Sequence, residues 1–256
     1  MWVEFLIGKF QFFLLIMMRM FGMIAVAPFF SSVLIPMRVK ATLALTITLV
    51  IFPILSEQLP MKIPQNFVDY ILLVINELAI GLSIGLVVSI IFATFQLAGQ
   101  FFSIQMGFGI SEVFDPLSQI HVPLVGQFLA LIGILIFFLV GGHILLIEGV
   151  FESYFKLPVL DIMNDSKPLM DLMIEVFNDM FVTALKISLP IIGTLFIVTL
   201  SMGLLAKFAP QMNILMLGFP IYITIGFVML ILLMSFILEN GRSIMDKYLD
   251  RILQLV

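Results

Sequence analysis

From Leu78 to Ser111, and again from Pro116 to Ile147, this chain carries no Asp, Glu, Lys or Arg. Each stretch outruns the ~20 apolar residues that cross a bilayer as one helix. An aqueous fold has no core able to hide two such runs in succession, so the surrounding medium is lipid or other membrane subunits. Composition agrees: 62% of the 256 residues are hydrophobic and 11% charged, with a mean hydropathy of +1.24, whereas about 25% of a soluble domain is charged. The chain is an integral membrane protein.

Six apolar segments mark its course: Phe10–Phe30 with Arg19 inside it, Ala41–Ser56, a third opening at Tyr70 and containing Glu77, Pro116–Ile147, Phe177–Ala206 with Lys186, and Asn213–Leu238. The second is short for a span. The third and fourth are overlong and predict bent helices or re-entrant hairpins with Gly and Pro at the bends. Non-helical backbone at membrane depth is tolerated only against protein or a watery cavity. The N-terminal MWVEFLIGKF lacks a basic region and reads as the start of a membrane segment rather than a removable signal. Pro28, Pro53, Pro190 and Pro220 predict kinks. Glu148–Asp179 reads as the longest polar connection, with a helix starting near Ser166 and Pro168. In the tail Glu239–Val256, the spacing of Ile244, Tyr248, Ile252 and Leu255 predicts an amphipathic helix on the membrane surface or on a partner.

The net charge of −4 is small and scattered, which argues against a nucleic-acid partner. Without cysteine there is no thiolate chemistry or Cys-bound metal. No phosphate-cradling loop, HExxH or GxSxG motif is present. His121 and His143 stand apart with no second ligand nearby in sequence. The expectation is a non-enzyme without cofactor or metal.

Three charges lie inside apolar segments: Arg19, Glu77 and Lys186. Each costs roughly 2.5–3.5 kcal/mol or more at the bilayer centre. They form either an ion-coupling relay, with Arg19 and Glu77 as the site of a small secondary transporter, or buried pairs at interfaces. One acid at most per core segment favours pairing. Lys186, near the start of its segment, has the further option of reaching the interface. Gly81, Gly85 and Gly99 recur through the third segment and predict close helix packing, within the chain or against another subunit.

Between the overlong stretches lies QMGFGISEVFDPLSQIHVP, Gln105–Pro123. It is too apolar for a water-exposed loop, too broken by Gly107, Gly109 and Pro116 for a membrane helix, and free of Lys and Arg. Backbone physics assigns it to a protein-lined interior.

Several long stretches carry a family likeness: RMFGMIAVAPFFSSVLIPMRVKATLAL (Arg19–Leu45), NELAIGLSIGLVVSIIFATFQLAGQFFSIQMGFGISEVFDP (Asn76–Pro116), VGGHILLIEGVFESY (Val140–Tyr154) and Leu185–Leu230. In order and spacing they resemble the FliR/SctT family of type III secretion export-gate proteins. Lys207 stands where that family often has Arg. The resemblance implies an all-α membrane protein of kinked helical hairpins, a FliP-like unit followed by a FliQ-like hairpin, built into a helical hetero-oligomer. It divides the chain into 1–170, 171–240 and an amphipathic tail 241–256. It implies FliP-like, FliQ-like, FlhB-like and FlhA-like partners, unfolded export substrates, and a place in the bacterial inner membrane at the flagellar basal body, partly raised above the membrane plane. The family's plug, a loop filling the closed channel beside a methionine-rich ring from FliP, corresponds to about 106–122. Met106, Gly107, Phe108, Gly109, Ile110, Val113, Phe114, Asp115 and Pro116 are its candidate residues.

Overall fold

The computed structural model describes residues 2–31, 35–59, 64, 66–108, 124–156 and 167–255. Among the described residues every regular element is a helix: α1 Trp2–Val26, α2 Met37–Gln58, α3 Phe67–Gln105, α4 Leu124–Leu139, α5 Gly142–Lys156, α6 Lys167–Phe208, α7 Ile214–Leu232 and α8 Met234–Leu255. The all-α expectation holds. Among the described residues four stretches are long and apolar enough to cross a membrane: Leu6–Val26, Met37–Gln58, Phe67–Gln105 and Met170–Phe208. Two bent pairs, α4 with α5 and α7 with α8, raise the number to as many as six.

The expected bends divide between two outcomes. The fourth segment does bend, by 66° where α4 meets α5, at Gly141 with φ +76°. The third does not break: α3 continues for 39 residues, about 58 Å at 1.5 Å per residue. Its glycines serve contact rather than bending, as described below. α2, α7 and the 42-residue α6 likewise run through Pro53, Pro220 and Pro190. α2 recruits Met37–Lys40 and so reaches spanning length. The polar connection is shorter than expected, because α5 extends to Lys156 and α6 begins at Lys167 with Pro168 in its first turn; the expected Ser166 cap lies outside the described residues.

The chain packs as two compact units, one of Met1–Ile90, Gly141–Val176 and Lys247–Val256, the other of Ile91–Val140 and Phe177–Asp246. The sequence boundaries near 170 and 240 fall inside α6 and α8.

In the first unit, α1 and α3 run side by side in parallel. The pairings rise together along both helices: Tyr70 Oη donates to the Gln11 carbonyl (3.1 Å), Glu77 meets Arg19, and Ser89 Oγ donates to the Val26 carbonyl (2.8 Å). On α3 the contact stripe is Glu77, Gly81, Gly85 and Ser89, spaced by four, the row that stacks along one helix face. A Cβ on Gly81 would collide with the Arg19 carbonyl, and one on Gly85 would lie 2.8 Å from that of Met23. From the other side, a Cβ on Gly22 would lie 2.6 Å from the Leu78 carbonyl. Without side chains at these points the two backbones touch. α2 returns against α1, with Phe52 edge-on to Phe13 at 5.5 Å.

The tail differs from expectation. Ile244, Met245, Tyr248, Leu249 and Ile252 are buried in this chain. Lys247 and Arg251 reach Glu175 of α6, both at 3.2 Å. Its apolar face therefore packs inward rather than lying on the membrane surface.

In the second unit, the end of α3 and α4 form an antiparallel pair. Gly99 abuts Gly126, Phe95 abuts Gly133, and Phe92 lies edge-on to Phe137 at 5.4 Å. Gly241 of α8 also flanks Phe95, so this fully buried ring sits between two glycines.

These contacts predict that Gly81→Ala destabilises the purified chain by about 1–3 kcal/mol or more, because backbone rather than a side chain must give way. Gly8→Ala, where a Cβ meets nothing within 4 Å, is expected to be neutral or stabilising by about 0.5–1 kcal/mol. Thermal unfolding of both variants in detergent checks the pair.

Candidate functional site

Two places gather the residues singled out in the sequence. The first is the ion pair of Arg19 and Glu77, which neutralise each other with no exposed surface on either side chain. Arg19 Nε donates to Glu77 Oε2 (2.6 Å) and Nη2 to Oε1 (2.9 Å), a two-pronged fit of guanidinium to carboxylate. Nη1 donates to Ser153 Oγ at 2.6 Å, and Ser153 in turn donates to the Val150 carbonyl. The Tyr154 ring covers the guanidinium, its centroid 3.9 Å from Cζ. Tyr154 Oη donates to the Ile16 carbonyl, one turn before Arg19, at 3.3 Å.

One arginine thus ties α1 to both α3 and α5. Removing two charges from water costs several kcal/mol per ion, which close geometry and further hydrogen bonds offset. Both are present here. Lys186 takes no part in this cluster: it is exposed on α6, and the chain itself does not bury it.

The second place is the start of the broken segment. α3 ends in a Schellman arrangement, in which Phe108 N donates to the Ser103 carbonyl (3.2 Å) and Gly107 N to that of Ile104 (3.1 Å). Gly107 adopts φ +95°, which a side chain resists. Met106 is fully buried. Its Sδ lies 2.7 Å from where a Cβ on Gly226 would stand, and a Cβ on Gly107 would meet the Phe219 ring at 2.7 Å. Phe108 lies edge-on to Phe227 at 6.3 Å. The root Met106–Phe108 therefore rests on one face of α7. Leu124, opening α4, and Phe227 of α7 line one apolar groove. Gly109, Ile110, Val113, Phe114, Asp115 and Pro116 lie outside the described residues, as does His121.

Sequence reasoning missed the partners. Ser153 and Tyr154 follow two acids, Glu148 and Glu152, that gave no hint of an arginine partner. Phe219 and Gly226 are one heptad apart, a spacing that marks a shared helix face but not what covers it.

The fold and these two places define a helical membrane protein of closely packed and bent hairpins. Among the described residues no group of three or more His, Asp or Glu side chains is placed to hold a metal. Residues 10–248 match the bacterial export proteins, family 1, and the chain belongs to that family, within its FliR branch. The flagellar biosynthetic protein FliR of Bacillus subtilis is 30% identical over 254 residues, 98% of this chain and 96% of the relative. That of Aquifex aeolicus is 31% identical over 209 residues, 80% and 78% respectively. That of Escherichia coli is 29% identical over 221 residues, 86% and 83%. The family places the chain among components of a bacterial export apparatus, not among enzymes.

The ion pair makes a directional prediction. Arg19→Met strands a buried carboxylate and is expected to cost about 3–5 kcal/mol, whereas Arg19→Met with Glu77→Met recovers most of that loss. Thermal unfolding of the single and double variants, with flagellar export as second readout, checks it. A stable double variant with no export would point to a relay rather than a strut.

Proposed function

We propose that this chain supplies the plug of a closed type III export channel, through which unfolded flagellar proteins cross the inner membrane. The observation that carries the reading is the seating of Met106–Phe108. A Lys- and Arg-free, Gly- and Pro-broken apolar segment leaves α3 through a glycine cap, and its root is packed on α7. Family membership and three relatives named flagellar biosynthetic protein FliR set the context.

The mechanism is steric. Apolar side chains across a lumen exclude water and ions by dewetting. Ile110, Val113 and Phe114 form the seal, held from the root Met106–Phe108, while Gly107, Gly109 and Pro116 give it shape and hinges, with Asp115 among them. An open form only a few kcal/mol above the closed one lets an arriving substrate shift the balance.

In this reading FliP-like and FliQ-like subunits complete the channel, and FlhB-like and FlhA-like proteins serve its cytoplasmic side. Residues 1–170 act as the FliP-like unit and 171–240 as the FliQ-like hairpin, a role suited to α6, the turn at 209–213 and α7. Asn213 caps the returning helix, its Oδ1 accepting from Met216 N at 3.2 Å. Helices of 39 and 42 residues, about twice what a ~30 Å hydrocarbon core requires, suit an assembly raised partly above the membrane. The carrier alternative puts Arg19 and Glu77 at a translocation site. Their full burial and mutual pairing favour a structural role.

Deleting residues 109–115, which spares the root, is expected to raise ion leakage across the membrane while the complex still assembles. Unchanged leakage in an assembled complex would count against the plug. Solute uptake by the purified chain alone in liposomes would favour the carrier.

A further inference from the structure

α7 presents Phe219, Gly226 and Phe227 at i, i+7 and i+8, one face of the helix. A glycine in a helix interior weakens the helix unless the missing side chain serves a purpose. At Gly226 the purpose is visible: Cγ, Sδ and Cε of Met106 all fall within 2.7 Å of the position a Cβ would take. The neighbouring glycines differ. Gly218 faces Tyr222 of its own helix, and Gly193 and Gly203 of α6 have nothing within 4 Å.

We propose that Gly226, with Phe219 beside it, is the positioning seat of the plug, and that Met106 must leave this notch for the channel to open. The inference rests on the plug reading above and adds the element that holds the plug shut. The contact suits a latch. Met106 is buried through a flexible thioether, which adapts to an irregular notch and withdraws without breaking a hydrogen bond. Gly107 follows it at φ +95° and packs on Phe219, so the two neighbours share one seat on α7.

The absence of native cysteines makes the test direct. Met106 Cγ lies 2.6 Å from the built Cβ of Gly226, so Cβ atoms at the two positions stand no more than about 4 Å apart, within disulfide reach. The double variant Met106→Cys with Gly226→Cys, in the assembled complex in membranes, is expected to cross-link under mild oxidation. Export should then fall at least tenfold and return on reduction, while each single variant is unaffected by the same oxidant. Failure to cross-link would overturn the seat. Cross-linking with undiminished export would overturn its role in opening.

Should the double variant not assemble, Met106→Cys alone provides the reading. It should resist a thiol-alkylating reagent in the closed complex and react at least tenfold faster when Gly226→Leu fills the notch. Equal rates would overturn the seat. Leakage after deletion of 109–115 reports on the plug without touching Met106 or Gly226, so the two ideas fail separately.

Discussion

The pairing of Arg19 with Glu77 sets the terms for the first unit. An arginine inside a membrane segment is costly unless its charge is paired and its donors find acceptors. Here one carboxylate takes two of its nitrogens, Ser153 a third, and the Tyr154 ring lies over the plane. That demand fixes three helices at one level. It can be met because α1 and α3 touch through Gly22, Gly81 and Gly85, which brings the two side chains within reach. Charge and small residues on the Glu77–Gly81–Gly85–Ser89 row thus act as one device: the glycines permit the approach and the ion pair sets its register.

The second unit uses the same geometry without the charge. Gly99 against Gly126, and Phe95 between Gly133 and Gly241, bring helices together by close apolar contact. At the end of α3 this packing passes into the segment that leaves the helix. The cap at Gly107 ends the helix, and Met106 fills the notch at Gly226. One unit is thus anchored by a buried ion pair and the other by close apolar contacts.

Much of this was legible in the sequence. Overlong charge-free runs specified a helical membrane protein, and the isolated charges in apolar segments pointed to pairing. The helix end was visible from Gly107, which caps α3 at φ +95°. Other features were not legible, for physical reasons. Gly81, Gly85 and Gly99 announced close packing without saying whether the neighbour is this chain or another subunit, and the neighbouring backbone is this chain's own. The tail's amphipathic spacing required an apolar surface without naming it, and the surface is this chain's own. Ser153 and Gly226 owe their roles to partners 134 and more than a hundred residues away, a relation that local pattern does not encode.

In the proposed mechanism the segment following α3 closes the export channel from a root held on α7. A side-chain-resolution electron cryo-microscopy map of the closed complex, with its partner subunits in place, tests it most directly. A plugged channel would show Ile110, Val113 and Phe114 across the lumen, with Met106 in the notch at Gly226. A lumen sealed by other subunits alone, with this segment packed at the periphery, would contradict it.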